Sequence, residues 1–220
     1  MCFSAGASFG ASAILAVAGV ASLKKVHTRT QIPFAAIPLI FSIQQFCEGF
    51  VWIALKNNAD WQQTPIILFL LFAQVVWPFW VPFSIFLLET SKWRKILLAV
   101  LLFMGTLLSL YLSYCFLSYH FSAHIQTYHI RYELSFPHEF VPFLALFYFL
   151  PTIVSPFVSS VRKMSFVGAS ILVSFLITKL FFDDYVISVW CFFAALVSVV
   201  VFLVMKDMEL KRKLREILMV

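Results

Sequence analysis

The sequence predicts an all-α polytopic membrane protein, a compact bundle of seven transmembrane helices with the amino terminus outside and the carboxyl terminus in the cytoplasm. Three observations lead there. Of the 220 residues, 62% are hydrophobic and 12% charged, against roughly 25% charged in a soluble globular chain, and the mean hydropathy is +0.96. Seven apolar runs have about the 20 residues that cross some 30 Å of hydrocarbon. The basic residues gather at alternate ends of those runs, which is the pattern that sets orientation in a membrane.

The first run, residues 5–23, has no basic leader before it, and Cys2 stands too early to follow a lipoprotein-type cleavage site. It is therefore expected to stay in the mature protein as the first span. The second run covers 32–55 and carries Gln44, Gln45 and Glu48 among apolar neighbours. The third, 65–88, holds Gln74 and the segments Trp77-Pro78 and Trp80-Val81-Pro82, and the fourth covers 95–118. The fifth, 139–160, contains Pro142, Pro151 and Pro156, so it should be kinked, with neighbours satisfying the carbonyls that proline leaves unpaired. The sixth and seventh cover 164–182 and 185–205.

Charge placement orients the bundle. Lys24, Lys25 and Arg29 follow the first span, Lys92, Arg94 and Lys95 the third, Arg162 and Lys163 the fifth, and Lys206, Lys211, Arg212, Lys213 and Arg215 the seventh. Only Lys56, Arg131 and Lys179, of 16 Lys and Arg in all, lie on the other side. The rich side is the cytoplasmic one, and the location expected is the cytoplasmic (inner) membrane. The net charge of +6 is therefore a mark of topology, and no nucleic-acid partner is implied.

Short connections make residues 1–205 one membrane domain of antiparallel neighbours. The loop 119–138 is the exception. Within it Ile125 to Phe136 mixes β-branched and aromatic residues and reads as strand, so the loop is a candidate hairpin lid on the outer side. The tail, 206–220, places Leu210, Leu214, Ile217 and Leu218 at helical spacing with basic residues between them. That pattern suits an amphipathic helix on the anionic inner leaflet, whose lipids are the expected partner.

Several machines are set aside. No CxxC pair or Cys/His zinc spacing is present, the inner loops are too short for a catalytic or signalling domain, and Tyr185 to Met205 offers no lysine for a retinal of the microbial rhodopsin type. The segments Met1 to Ser4 with Ala7-Ser8-Phe9, Ile43-Gln44-Gln45 through Glu48-Gly49, Val76-Trp77-Pro78 with Trp80-Val81-Pro82, and Ser188 to Ala195 span nearly the whole chain. In them the chain resembles an uncharacterised bacterial family of seven-helix integral membrane proteins with a Met-Cys-Phe-Ser amino terminus. The resemblance implies the fold and brings no activity or cofactor with it.

Ionisable residues inside a span are costly to bury and so mark sites. Glu48 lies about 10 Å below the outer surface of the hydrocarbon, with Gln44 one turn deeper on the same face and Gln45 close to it. Gln74, Trp190 and Cys191 fall in the same outer half, Lys179 nearer its rim, and the proline-broken third span with Trp77 and Trp80 sits just below. These residues are the expected lining of an outward-facing cavity that binds or moves a small molecule. Against that stands a plain structural reading, in which Glu48 is polar glue between helices, Lys179 snorkels and the tryptophans pack a kink. A second functional reading is an intramembrane enzyme with Cys2 as nucleophile or redox thiol and Glu48 or a loop histidine as acid/base partner. His120 and His124, at i and i+4, are weak metal candidates, and the pair Cys2 and Cys191 is the one disulfide that the depths allow.

Overall fold

The computed structural model describes residues 4–136 and 141–218. Among them six helices are long and apolar enough to cross a membrane: α1 (Ala5–Leu23), α2 (Arg29–Lys56), α3 (Gln63–Leu88), α4 (Lys92–Ser118), α6 (Met164–Phe181) and α7 (Val186–Leu218). A shorter apolar helix, α5 (Phe143–Val158), lies between α4 and α6. The architecture is all-α apart from one hairpin, β1 (Phe121–Gln126) and β2 (His129–Leu134). The helix of the fifth run ends at Val158, where the chain turns extended at Ser159.

Small side chains hold α1 against α2. Ser8, Ser12, Leu15, Gly19 and Ser22 recur every three or four residues and form the buried face of α1, which lets the two backbones come close. Ser12 Oγ donates to the Ser42 carbonyl at 2.9 Å, and Ser42 Oγ returns a bond to the Ser12 carbonyl at 2.8 Å.

Two helices are locally unwound. α3 opens into a π-helical turn over Leu71–Val76, just before Trp77-Pro78, and α5 does so over Leu150–Val154, around Pro151. Proline supplies no N–H, so carbonyls near it need other donors. Hydroxyls from neighbouring helices provide them: Ser109 Oγ of α4 reaches the Val75 carbonyl and Tyr148 Oη of α5 reaches the Ala73 carbonyl, each at 2.7 Å. These bonds tie α3, α4 and α5 together at mid-height.

The hairpin closes one end of the bundle. Its turn falls at Thr127 and Tyr128, inside the stretch read from sequence as a single strand, because Thr127 takes the left-handed conformation (φ 57°) that a two-residue reversal needs. Alternation then aims Ile130 and Tyr132 inward, both buried. The Tyr132 ring stacks on Phe69 of α3 at 4.9 Å, while on the other flank His129 lies 4.7 Å from the ring of Tyr185, whose hydroxyl donates to Gln126 Oε1 at 3.3 Å. The hairpin is pinned from both sides.

The opposite end is ionic. Lys25, after α1, pairs with Glu209, and Lys163, before α6, pairs with Asp207, both at 2.9 Å. The tail, read from sequence as an amphipathic helix lying on the inner leaflet, continues α7 without a break as far as Leu218. Nothing in it stops a helix, and the i,i+4 pairs Asp207–Lys211, Glu209–Lys213 and Arg212–Glu216 support one. At 33 residues α7 is about 50 Å long, well beyond the hydrocarbon thickness.

Glu89 is the buried keystone of this end, and sequence reading passes over it because it stands at a helix terminus. Its carboxylate accepts from the amides of Thr90 (3.0 Å), Ser91 (2.8 Å) and Ser160 (2.6 Å) and from the Ser160 hydroxyl (2.6 Å). Burial acts to raise its pKa, but the bonds from Ser160, Ser91 and Thr90 outweigh it and hold the group below its ordinary 4.5. The stability it contributes is therefore full above about pH 4.5 and is lost as pH falls through the folded value. Glu89→Ala is expected to cost on the order of 2–3 kcal/mol by leaving buried amides without an acceptor. Thermal unfolding in detergent at neutral pH and near pH 4 measures both effects, and the gap between variant and wild type should narrow in acid.

Candidate functional site

Two polar and apolar compartments meet at Cys191. The first is a buried cluster on α2. Gln44, Gln45 and Glu48 are all fully buried, as their spacing on one side of the helix requires. Ser188 of α7 donates to Glu48 Oε1 at 2.6 Å, and Trp77 of α3 donates through Nε1 to Gln44 Oε1 at 2.7 Å while its ring stacks on Phe41 at 3.9 Å. One face of α2 is thus stitched to both α3 and α7. The side-chain amide of Gln45 meets no hydrogen-bond partner among the described residues, and a buried amide in that state costs a few kcal/mol.

The second compartment is a cleft of about 620 Å³ between α4, α5, α6 and α7 beneath the hairpin. Its floor is a ring cluster: Trp190 lies 5.5 Å from Tyr148 and 5.2 Å from Phe175, and its Nε1 donates to Ser174 Oγ at 3.2 Å. Tyr132 and Leu134 of β2 and Phe136 form its roof. Gln74 reaches it from the π-helical turn of α3, and Cys191 lines its wall. Cys191 also stands beside Gln44 and Glu48, so one side chain separates the cleft from the buried cluster. A smaller void of about 50 Å³, bordered by Trp77, Tyr148 and Trp190, lies below the floor.

A family model matches residues 1–215, almost the whole chain. The chain belongs to the family of unknown function DUF6629. No curated protein and no solved structure matches it.

In this DUF6629 protein, Gln74, Trp190 and Cys191 line the cleft, but Gln44, Gln45 and Glu48 do not. They are packed behind Cys191 because α2 presents that face to α3 and α7. Trp77 is on the buried side as well. Trp80 points elsewhere, donating to the Pro33 carbonyl at 2.9 Å, and Lys179 stays at the surface, paired with Asp183. An exposed partner just past the end of its own helix spares the lysine a desolvation that a partner in the cleft would demand.

The histidine pair is also corrected. His124 is in β1 and His120 just precedes it, so four residues of extended chain put them roughly 13 Å apart instead of one helical turn. Among the described residues no group of three His, Cys, Asp or Glu side chains is placed to hold a metal ion. Cys47, Cys115 and Cys191 are free thiols. Cys2, with its expected bond to Cys191 and its expected nucleophilic role, lies outside the described residues, as does His138.

Sequence reading missed three residues that shape the site. Ser188 has a signal, since it lies one turn before Cys191 on the same face of α7. Tyr148 and Phe175 have none, because aromatic residues are common throughout the chain and only packing distinguishes a floor from a filler.

Proposed function

We propose that this protein is a seven-helix integral membrane protein of the cytoplasmic membrane that binds or moves a small molecule through the cleft in its outer half. The cleft carries the reading. A site of about 620 Å³ with apolar walls and a few polar groups has the size and character of a small-molecule pocket. Its placement toward the outside follows from the basic residues, thirteen of which flank the spans on the side away from the hairpin. In support, the ion pairs Lys25–Glu209 and Lys163–Asp207 bring those basic segments together at one end. In this placement the tail from Lys206 to Arg215 emerges on the cytoplasmic side, where anionic lipid headgroups are its natural contacts.

Ligand-induced thermal shifts on purified protein, across a metabolite panel, test the proposal. A compound that binds the cleft should raise the melting temperature of the wild type and do so far less in Trp190→Ala, which removes the floor, or Ala145→Trp, which fills the space. A shift that survives both substitutions would place binding elsewhere.

A further inference from the structure

We infer that the occupant of the cleft is an amphiphile drawn from the membrane itself, one apolar chain of which enters sideways between α5 and α6. The inference rests on the reading of the cleft as a ligand site and names the class of ligand.

Among the described residues, the hairpin covers the cleft from above. The roof formed by β2 is fixed on one flank by the Phe69–Tyr132 stack and on the other by Tyr185, which contacts His129 and Gln126. Entry from below is closed by the ring cluster of Tyr148, Phe175 and Trp190. α4 and α7 supply two walls through Leu112 and Ile187. The remaining side lies between the first half of α5, which packs on α4, and α6, which packs on α7; farther down, residues 150–158 of α5 pack on α6 and the rings of Phe149 and Phe175 stand 5.8 Å apart, so the gap is confined to the half beneath the hairpin. The lips of that side are apolar and exposed, with Phe143 and Leu146 on α5 and Leu176 on α6. They are continuous with flanks that, in the proposed orientation, face lipid.

A hydrophilic solute would have to pass those lips from hydrocarbon, whereas a lipid chain is already there. The volume suits one apolar chain and not a whole two-tailed phospholipid. Moving such a chain from bilayer to cleft gains little hydrophobic free energy, since lipid tails are as apolar as the wall. Affinity must then come from packing on the aromatic floor and from polar contact at the roof, and it will be modest enough for the occupant to exchange.

The test uses the full chain reconstituted in phosphatidylethanolamine and phosphatidylglycerol vesicles, doped with a phosphatidylethanolamine that carries a diazirine near the end of one acyl chain. After illumination, cross-links are mapped by mass spectrometry. Label is expected on Phe175, Ile187 and Trp190, and it should fall several-fold in Ala145→Trp and in a second filling variant, Leu144→Phe. Label on Leu117 and Leu180, which lie on the outer flanks at 85% and 77% exposure, should not change. Label confined to those flanks in the wild-type protein overturns the inference, as does cleft label that both folded filling variants leave intact. If the cleft stays unlabelled while a water-soluble compound gives a thermal shift that Trp190→Ala and Ala145→Trp abolish, the cleft remains a ligand site and the lipid assignment alone fails. If neither occurs, both fail.

Discussion

Gly105→Ala is expected to be among the most damaging single substitutions in this protein, although it adds one methyl group to a helix. A Cβ at position 105 would meet the Pro78 carbonyl oxygen at 2.0 Å and its carbon at 2.8 Å. That oxygen is exposed to α4 for a reason. Its normal helical donor would be the N–H of residue 82, which is proline and has none. The absence of a side chain at Gly105 lets α4 close on the bare carbonyl, the small-residue contact by which membrane helices pack. Backbone cannot rotate out of the way as a side chain can, so relief requires α3 and α4 to separate, and the Ser109–Val75 bond one turn along would go with them. A loss of about 3 kcal/mol or more follows, at or beyond the upper end for overpacking. Gly10→Ala is the control, because nothing lies within 4 Å of its added Cβ. There the better helix propensity of alanine should stabilise the protein by about 0.5–1 kcal/mol. Melting temperatures in one detergent decide the matter: equal shifts for the two variants would show that α3 and α4 are not in the contact described.

The second large effect is expected at Glu48, and it separates polar glue from mechanism. Glu48→Ala removes the acceptor of the Ser188 hydroxyl and opens a small hole in a fully buried site, for which about 2–4 kcal/mol is expected. Glu48→Gln keeps a carbonyl oxygen and similar volume, so it should cost less than about 1.5 kcal/mol. A double-mutant cycle with Ser188→Ala isolates the coupling across α2 and α7, which should exceed about 1 kcal/mol. The Gln variant then serves as the probe of function. If it folds as well as wild type yet loses the response to a cleft ligand, the carboxyl group acts through Cys191 on the cleft. An unchanged response restricts Glu48 to holding α2 against α7.

The Glu48 stripe could be seen in the sequence because a carboxyl and two amides in an apolar run are too costly to be incidental. Their partners could not. Counting residues along a helix gives depth, but which way a side chain faces depends on which helices are neighbours. For that reason Gln44, Gln45 and Glu48 were expected beside Gln74 and Trp190, whereas Cys191 stands between them. The same limit misplaced Trp80 and Lys179, whose depths suit the cleft and whose directions do not. For His120 and His124 the error was one of local structure, since a spacing that joins two ligands on a helix separates them on a strand.

Composition, the apolar runs and the one-sided basic residues by themselves determined an all-helical bundle with long apolar helices, because burying that much apolar surface needs lipid-length helices whatever their arrangement. The alternation of β2 determined which face of the hairpin turns inward. Tertiary structure alone decided that there is a cleft and where it opens. The unwound turn at Leu71–Val76 is held by the hydroxyls of Ser109 and Tyr148 from neighbouring helices, and the first half of α5 packs on α4 while its second half packs on both α4 and α6. Each depends on contacts between residues far apart in the chain, for which no local pattern of side chains is a signal.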